Sequence, residues 1–173
     1  DLYSLKGLSL STVDFTQSSS FQGLELGENL HIAGGFVSAY DSQNVEEYGF
    51  HLYPENVSAA LASGGSLTSG GSYQFRVIYV HTDARGQIHR SAPSVAVTGS
   101  PTGSNLSVTL TIPTLRITEH TSVNCEVYRT QNNGTLYFKV GTVANNTAVD
   151  SVTLTDDGSI NDTQLLGKEL LYT

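Results

Sequence analysis

Five histidines, His31, His51, His81, His89 and His120, are the side chains of this chain best suited to metal or proton chemistry near neutral pH. His81 and His89 flank the turn Asp83-Ala-Arg-Gly86. A hairpin there would set the two rings opposite each other and offer two imidazole ligands. The spacing supplies neither a third ligand nor an outer partner. Partly exposed strand histidines are therefore the simpler reading, and no metal site is assigned. Asp156, Asp157, Asn161 and Asp162 form an acidic loop of the oxygen-only type that suits Ca²⁺. Gly158 comes too early for an EF-hand and no Glu closes the loop, which favours a solvated turn. Glu25, Glu28, Asp41, Glu46, Glu47 and Glu55 crowd the first third. A glycosidase needs two carboxylates facing each other across a cleft, and crowding along a sequence does not supply that. No Gly-x-Ser-x-Gly elbow occurs, and no glycine loop opens a helix to cradle phosphate. The expectation is a protein with no catalytic residues and no cofactor.

The remaining reactive types are as plain. Cys125 is the single cysteine, so no internal disulfide forms. It shares strand parity with Val123 and Val127 and should point into a core as a small hydrophobe. Asn-x-Ser/Thr occurs at Asn56, Asn105, Asn133, Asn145 and Asn161, but Asn, Ser and Thr are frequent enough here for chance to supply several. The aromatics are the better handle. Phe36, Tyr40, Tyr48, Phe50 and Tyr53 fall within one stretch of short strands and turns. Such strands cannot bury both faces in one small meander, so the surplus apolar surface needs a partner. This stretch is the expected subunit or domain contact.

The elements that must position these residues are strands. Tyr73, Phe75, Val77 and Tyr79 alternate with Gln74 and Arg76. Leu106, Val108, Leu110 and Ile112 alternate with Ser107, Thr109 and Thr111. Leu136, Phe138 and Val140 alternate with Tyr137 and Lys139. Period-2 alternation marks sheets with one dry face and one wet face. Asn132-Asn133-Gly134 lies between apolar runs and signals a hairpin. Upstream, Leu30–Ala33, Phe36–Tyr40 and Val45–Leu52 read as three extended stretches joined by Gly34-Gly35 and Asp41–Asn44, the rhythm of a propeller blade or meander. Leu8, Leu10, Val13 and Phe15 suggest two more short strands. Residues 54–71 read as a boundary, with one helical turn over Val57–Leu61 and glycine pairs at Gly64-Gly65 and Gly70-Gly71. The expected division is a platform segment with linker over 1–71, a sandwich over 72–155 and a return segment over 156–173.

Bulk properties exclude some functions. The chain has 173 residues, 16 acidic against 8 basic, and a net charge of −8. That field repels phosphates, so neither nucleic acid recognition nor binding to an anionic membrane surface is expected. No apolar run approaches the length of a membrane span, so no membrane insertion is expected. Position 1 is not Met, and the chain ends on Leu-Leu-Tyr-Thr without a polar tail. The first fits a fragment, a processed product or a chain given without its start, and the second suggests that the native chain continues.

Three stretches resemble parts of a fibronectin type III domain in permuted order. Gly71 to Ser94 is similar to the last two strands of that fold, Leu106 to Pro113 to its opening strands, and Val123 to Gly141 to its middle hairpin. Glu28 to Val57, the Gly-Ser-Tyr73 strand, His89-Arg-Ser-Ala-Pro-Ser94 and the closing Leu165 to Thr173 resemble tail tube or nozzle (stabilisation) proteins of short-tailed bacteriophages. The resemblance covers about four-fifths of the chain and is weakest over residues 1–23. It implies an all-β fold: an immunoglobulin/fibronectin type III-like β-sandwich, permuted, flanked by propeller-like strands. It implies a non-catalytic structural protein of the virion tail. Its partners would be other copies in a homo-oligomeric ring and other tail proteins. The competing expectation is a secreted fibronectin-like module that binds a carbohydrate or a host surface glycan.

Overall fold

The computed structural model describes residues 2–3, 12–13, 22–26, 29–33, 37–40, 45–120 and 122–172. The chain forms two compact units. The first comprises Asp1–Phe50, His81–Arg90 and Ile117–Ser122; the second comprises His51–Val80, Ser91–Arg116 and Val123–Thr173. Both are built from strands, and the only helix among the described residues has four residues. The all-β expectation is met.

The first unit opens with β1 (Leu2–Tyr3) paired antiparallel to β2 (Thr12–Val13). An antiparallel meander follows: β3 (Gln22–Leu26), β4 (Asn29–Ala33), β5 (Ser38–Tyr40) and β6 (Val45–Glu47), in that spatial order. The register lines up Leu24, His31, Ala39 and Glu46 across the four strands. The third extended stretch is shorter than its sequence suggests. It ends at Glu47, where Tyr48 turns to donate its backbone N–H to the Val37 carbonyl at 2.7 Å and Gly49 adopts a φ of 76°.

The second unit holds β7 (Ser58–Ala62), β8 (Gly64–Gly65), most of β9 (Tyr73–Thr82), β11 (Val97–Gly99), β12 (Asn105–Pro113), β13 (Asn124–Thr130), β14 (Tyr137–Ala144), β15 (Ser151–Asp156) and α1 (Asp162–Leu165). The short β10 (Ile88–Arg90) and the last two residues of β9 belong to the first unit. One sheet runs β10-β9-β13-β14 with β11 also on β9. The other runs β15-β12-β7 with β8 on β12. β8 pairs parallel to β12 over two residues, whereas β11 with β9, β15 and β7 with β12, and β14 and β9 with β13 pair antiparallel.

The alternation read from sequence fills the space between the sheets. Tyr73, Phe75, Val77, Val108, Leu110, Ile112, Cys125 and Val127 are all 2% exposed or less. Each large apolar side chain buried this way contributes about 1.5–3 kcal/mol. The sheets close where a side chain is missing. A Cβ on Gly99 of β11 would lie 2.6 Å from Val108 Cγ2 of β12, and one on Gly141 of β14 would lie 2.8 Å from Leu154 Cδ1 of β15. The outer face of the first sheet carries a smaller cluster of Ile78, Val80 and Tyr128, against which Tyr137 and Leu171 pack. The closing segment reaches it by backbone pairing, Leu171 N–H to Tyr137 O and Lys139 N–H to Glu169 O, both at 2.9 Å. The apolar end of the chain thus packs back on the sheet, as its composition suggests.

Two sequence expectations need correction. Val57–Leu61 is not a helical turn: Ser58–Ala62 is β7, paired with Ser107–Thr111 of β12. Tertiary pairing overrides the local helix preference of its alanines. Within residues 54–71, Ser58–Ala62 and Gly64–Gly65 pair with β12, and two excursions, His81–Arg90 and Ile117–Ser122, group with the first fifty residues. Leu136 does not continue the buried face of Phe138; it precedes β14 and is 58% exposed. The Asn132-Asn133-Gly134 hairpin is present, and Asn133 takes the left-handed conformation at φ 55°.

Candidate functional site

The buried described residues of the first unit are mostly polar. Among its described residues Ala39 is the single buried apolar side chain, whereas Ser38, Glu46, Glu47, His81, Asp83 and His120 are all buried. Adjacent strand residues face opposite ways, so Glu46 and Glu47 of β6 point in different directions and still both end up covered.

Glu47 anchors the segment that precedes β13. Its Oε2 accepts the Thr118 hydroxyl at 2.8 Å and the Glu119 backbone N–H at 3.3 Å. Thr118 Oγ1 in turn accepts the His120 backbone N–H at 3.1 Å. This chain of bonds fixes where His120 projects. Glu46 projects towards two imidazoles. Its Oε2 lies 2.5 Å from His81 Nε2 and 3.6 Å from His120 Nδ1. The His81 and His120 rings stack with centroids 4.3 Å apart. Their side chains are 2% and 1% exposed.

Each ring is held from behind by a backbone carbonyl. His81 Nδ1 lies 2.6 Å from Ser122 O, and His120 Nε2 lies 2.6 Å from Gly49 O. A carbonyl only accepts, so a neutral ring carries its proton on that outer nitrogen. The lone pairs of His81 Nε2 and His120 Nδ1 then face the Glu46 carboxylate. Neither inward nitrogen makes a hydrogen bond. Glu46 Oε2 and His81 Nε2 are within ion-pair distance of each other.

His89 borders this group at ring-centroid distances of 6.2 Å from His81 and 6.1 Å from His120. Its Nε2 faces Asp83 Oδ2 at 3.3 Å. Asp83 also closes the hairpin turn, its Oδ1 accepting the backbone N–H groups of Arg85 at 2.9 Å and Gln87 at 2.8 Å. Burial opposes ionisation of Asp83 most strongly. The bonds from Gln87, His89 and Arg85 together still bring its carboxyl below the ordinary Asp value.

The sequence reading paired His81 with His89 across this turn. The structure instead joins His81 with His120 and Glu46, and His81 is buried rather than partly exposed. Of the other acidic residues weighed, Glu25 and Glu55 are exposed, while Glu28 and Asp41 lie outside the described residues. The Ca²⁺ reading of the 156–162 loop loses its ligands to protein partners. Asp156 Oδ2 pairs with Arg129 Nη1 at 2.7 Å, Asp162 Oδ2 accepts the Asn132 backbone N–H at 2.8 Å, and Asn161 caps α1 through Thr163 and Gln164. Asp157 Oδ1 accepts the Ser159 N–H at 2.9 Å. Cys125 is fully buried, and burial pushes its thiol up to about 12.

The expected contact aromatics are dispersed. Phe36 lies outside the described residues. Tyr40 is half-buried on β5, opposite Val45. Tyr48 is 41% exposed and meets the His31 ring edge to face at 4.4 Å. Phe50 is half-buried against the His120 ring at 4.7 Å. Tyr53 belongs to the second unit and is 39% exposed. No protein-family model, no curated protein and no solved structure matches this chain.

Proposed function

We propose that the chain is a structural component of a bacteriophage tail tube or nozzle that works through protein–protein contacts. In this reading its second unit is a permuted fibronectin type III-like sandwich. The observation that carries the reading is the incompletely covered meander of the first unit. Leu24 is 65% exposed, Leu30 39%, Val37 38% and Tyr48 41%. β3 and β6 are the edges of its four-stranded sheet. Exposed apolar side chains beside open edges are what a protein presents when neighbouring copies cover it. The net charge of −8 agrees with contacts to protein rather than to nucleic acid. The resemblance of residues 28–57 and 165–173 to nozzle proteins supplies the assembly.

Light scattering of the purified chain over a range of concentrations, with negative-stain imaging, tests the proposal. Growth into rings or larger particles, together with recovery of the chain in purified tails, is the expected outcome. A monomer at every concentration, absent from virions, would overturn it. Specific binding to a glycan, lost on Tyr48→Ala, would favour the secreted carbohydrate-binding module instead.

A further inference from the structure

We propose that Glu46, His81 and His120 form a binding site for one divalent transition metal ion, zinc by ligand type, which ties the first unit together. Two imidazole nitrogens and one carboxylate oxygen are a donor set for zinc and its neighbours, not for the hard oxygen-seeking Ca²⁺ or Mg²⁺. The three donor atoms lie within 4.8 Å of one another. Ligands at zinc bond lengths and tetrahedral angles stand about 3.4 Å apart. The distances from Glu46 Oε2, 2.5 Å and 3.6 Å, fall on either side of that value, so small ring rotations bring the set into register.

The outer nitrogens supply the second observation. Ligating histidines nearly always donate their other N–H to a carbonyl or carboxylate, which fixes the tautomer and aims the free lone pair. Ser122 O and Gly49 O do this for His81 and His120. The inward nitrogens, on side chains at most 2% exposed, have no hydrogen bond. Buried polar atoms in native proteins have partners, and a cation supplies one to both rings at once. His89 is kept out of the donor set because its Nε2 faces Asp83. Three protein ligands leave a fourth tetrahedral position for a water molecule.

The role follows from what the described residues of the unit bury. Its described interior offers Ala39 as buried apolar surface and is otherwise made of carboxylates, imidazoles and Ser38. The metal joins β6, the end of β9 and the 117–122 segment, which are far apart in sequence. Binding energy gained at such a site adds directly to the folding energy of the segments it joins.

The test titrates the full chain, freed of metal by a chelator, with Zn²⁺ alone by calorimetry, and with Co²⁺ by visible absorption. One equivalent of zinc with sub-micromolar affinity and the intense bands of four-coordinate Co²⁺ are expected. Glu46→Gln and His120→Gln should each weaken zinc binding by at least about 100-fold, since even outer partners of metal ligands are worth 10–100-fold. His89→Gln should keep one equivalent. No binding by the unaltered chain at micromolar zinc would overturn the proposal. So would unchanged affinity in the Glu46→Gln and His120→Gln chains, or loss of the equivalent in His89→Gln. If a variant does not fold, X-ray absorption of the unaltered zinc complex decides. Two imidazoles with oxygen neighbours support the site, and an all-oxygen shell refutes it.

Discussion

Replacing Arg129 with Met tests whether a buried charge network closes the sandwich. Arg129 is fully buried on β13, and its Nη1 donates to Asp156 Oδ2 at 2.7 Å at the end of β15 in the opposite sheet. Its Nη2 donates to Ile160 O at 2.8 Å and meets Asp162 Oδ1 at 3.4 Å, while the guanidinium sits 5.1 Å from the Tyr73 ring centroid. Removing the cation leaves Asp156, its side chain 5% exposed, to the Gly158 N–H that donates to its Oδ1 at 3.1 Å. Breaking one side of a buried pair costs about 3–5 kcal/mol. The contact to Asp162, whose side chain is about a third exposed, adds under about 1 kcal/mol. Arg129→Met should therefore destabilise the second unit by about 4 kcal/mol, a large part of a stability of about 5–15 kcal/mol. Asp156→Leu should cost about 3 kcal/mol for the converse reason, the stranded guanidinium. The double variant should recover much of this, because an apolar pair of similar volume replaces a buried ion pair at little net cost. Urea unfolding read by tyrosine near-UV dichroism gives the four values, and the chain has no Trp to interfere. A coupling energy of about 2 kcal/mol or more is expected. Single variants costing under about 1 kcal/mol, or effects that add within about 0.5 kcal/mol, would refute the reasoning.

Two further outcomes follow from the same unit. Cys125 is fully buried and its thiol is pushed up to about 12 by burial, so a thiol reagent at neutral pH should label it only as fast as the sandwich opens. Rapid labelling in the absence of denaturant would contradict that burial. Asp157 is held below the ordinary Asp range by its bonds from the Ser159 side chain and backbone N–H. A depressed folded value means the contribution to stability is present above the unfolded Asp value and is lost as pH falls through the folded one. An NMR titration should place the Asp157 midpoint below that of an ordinary Asp, and Ser159→Ala should raise it. An unchanged midpoint in Ser159→Ala would show that the hydroxyl is not a cause.

Most of the sandwich was legible because its faces obey one period. Tyr73, Phe75 and Val77 lie between the sheets, and Val108, Leu110 and Ile112 face them, as the alternation requires. Asn133 in its left-handed turn was legible for a local reason, since few residue types tolerate that conformation. β7 was not legible. Ser58-Ala-Ala-Leu-Ala62 carries no alternation, and only the register with β12 makes it a strand. Nor was Arg129. It shares parity with Val127 and Cys125, and charge alone argues for an exposed position. The Asp156 and Asp162 carboxylates that neutralise it come 27 and 33 residues later.

The histidine cluster was partly legible. His81 continues the parity of Tyr73, Phe75, Val77 and Tyr79, so the argument that buried those residues also turns His81 inward. Two consecutive glutamates in a short strand force at least one to face its sheet's covered side. His120 carries no such mark, because it sits in an irregular segment 39 positions beyond His81 (120 − 81), with no period to read. An imidazole facing inward beside a carboxylate is a costly interior, and among the described residues of the unit only Ala39 adds buried apolar surface. The bound cation and the neighbouring copy are two answers with different signatures. Stabilisation by zinc depends on free metal and not on protein concentration, whereas stabilisation by ring neighbours grows with protein concentration at any metal level. Melting the chain at two protein concentrations, each with and without zinc, separates them. A zinc-dependent rise that is the same at both concentrations assigns the interior of the first unit to the metal and leaves its exposed Leu24 and Tyr48 surface to the assembly.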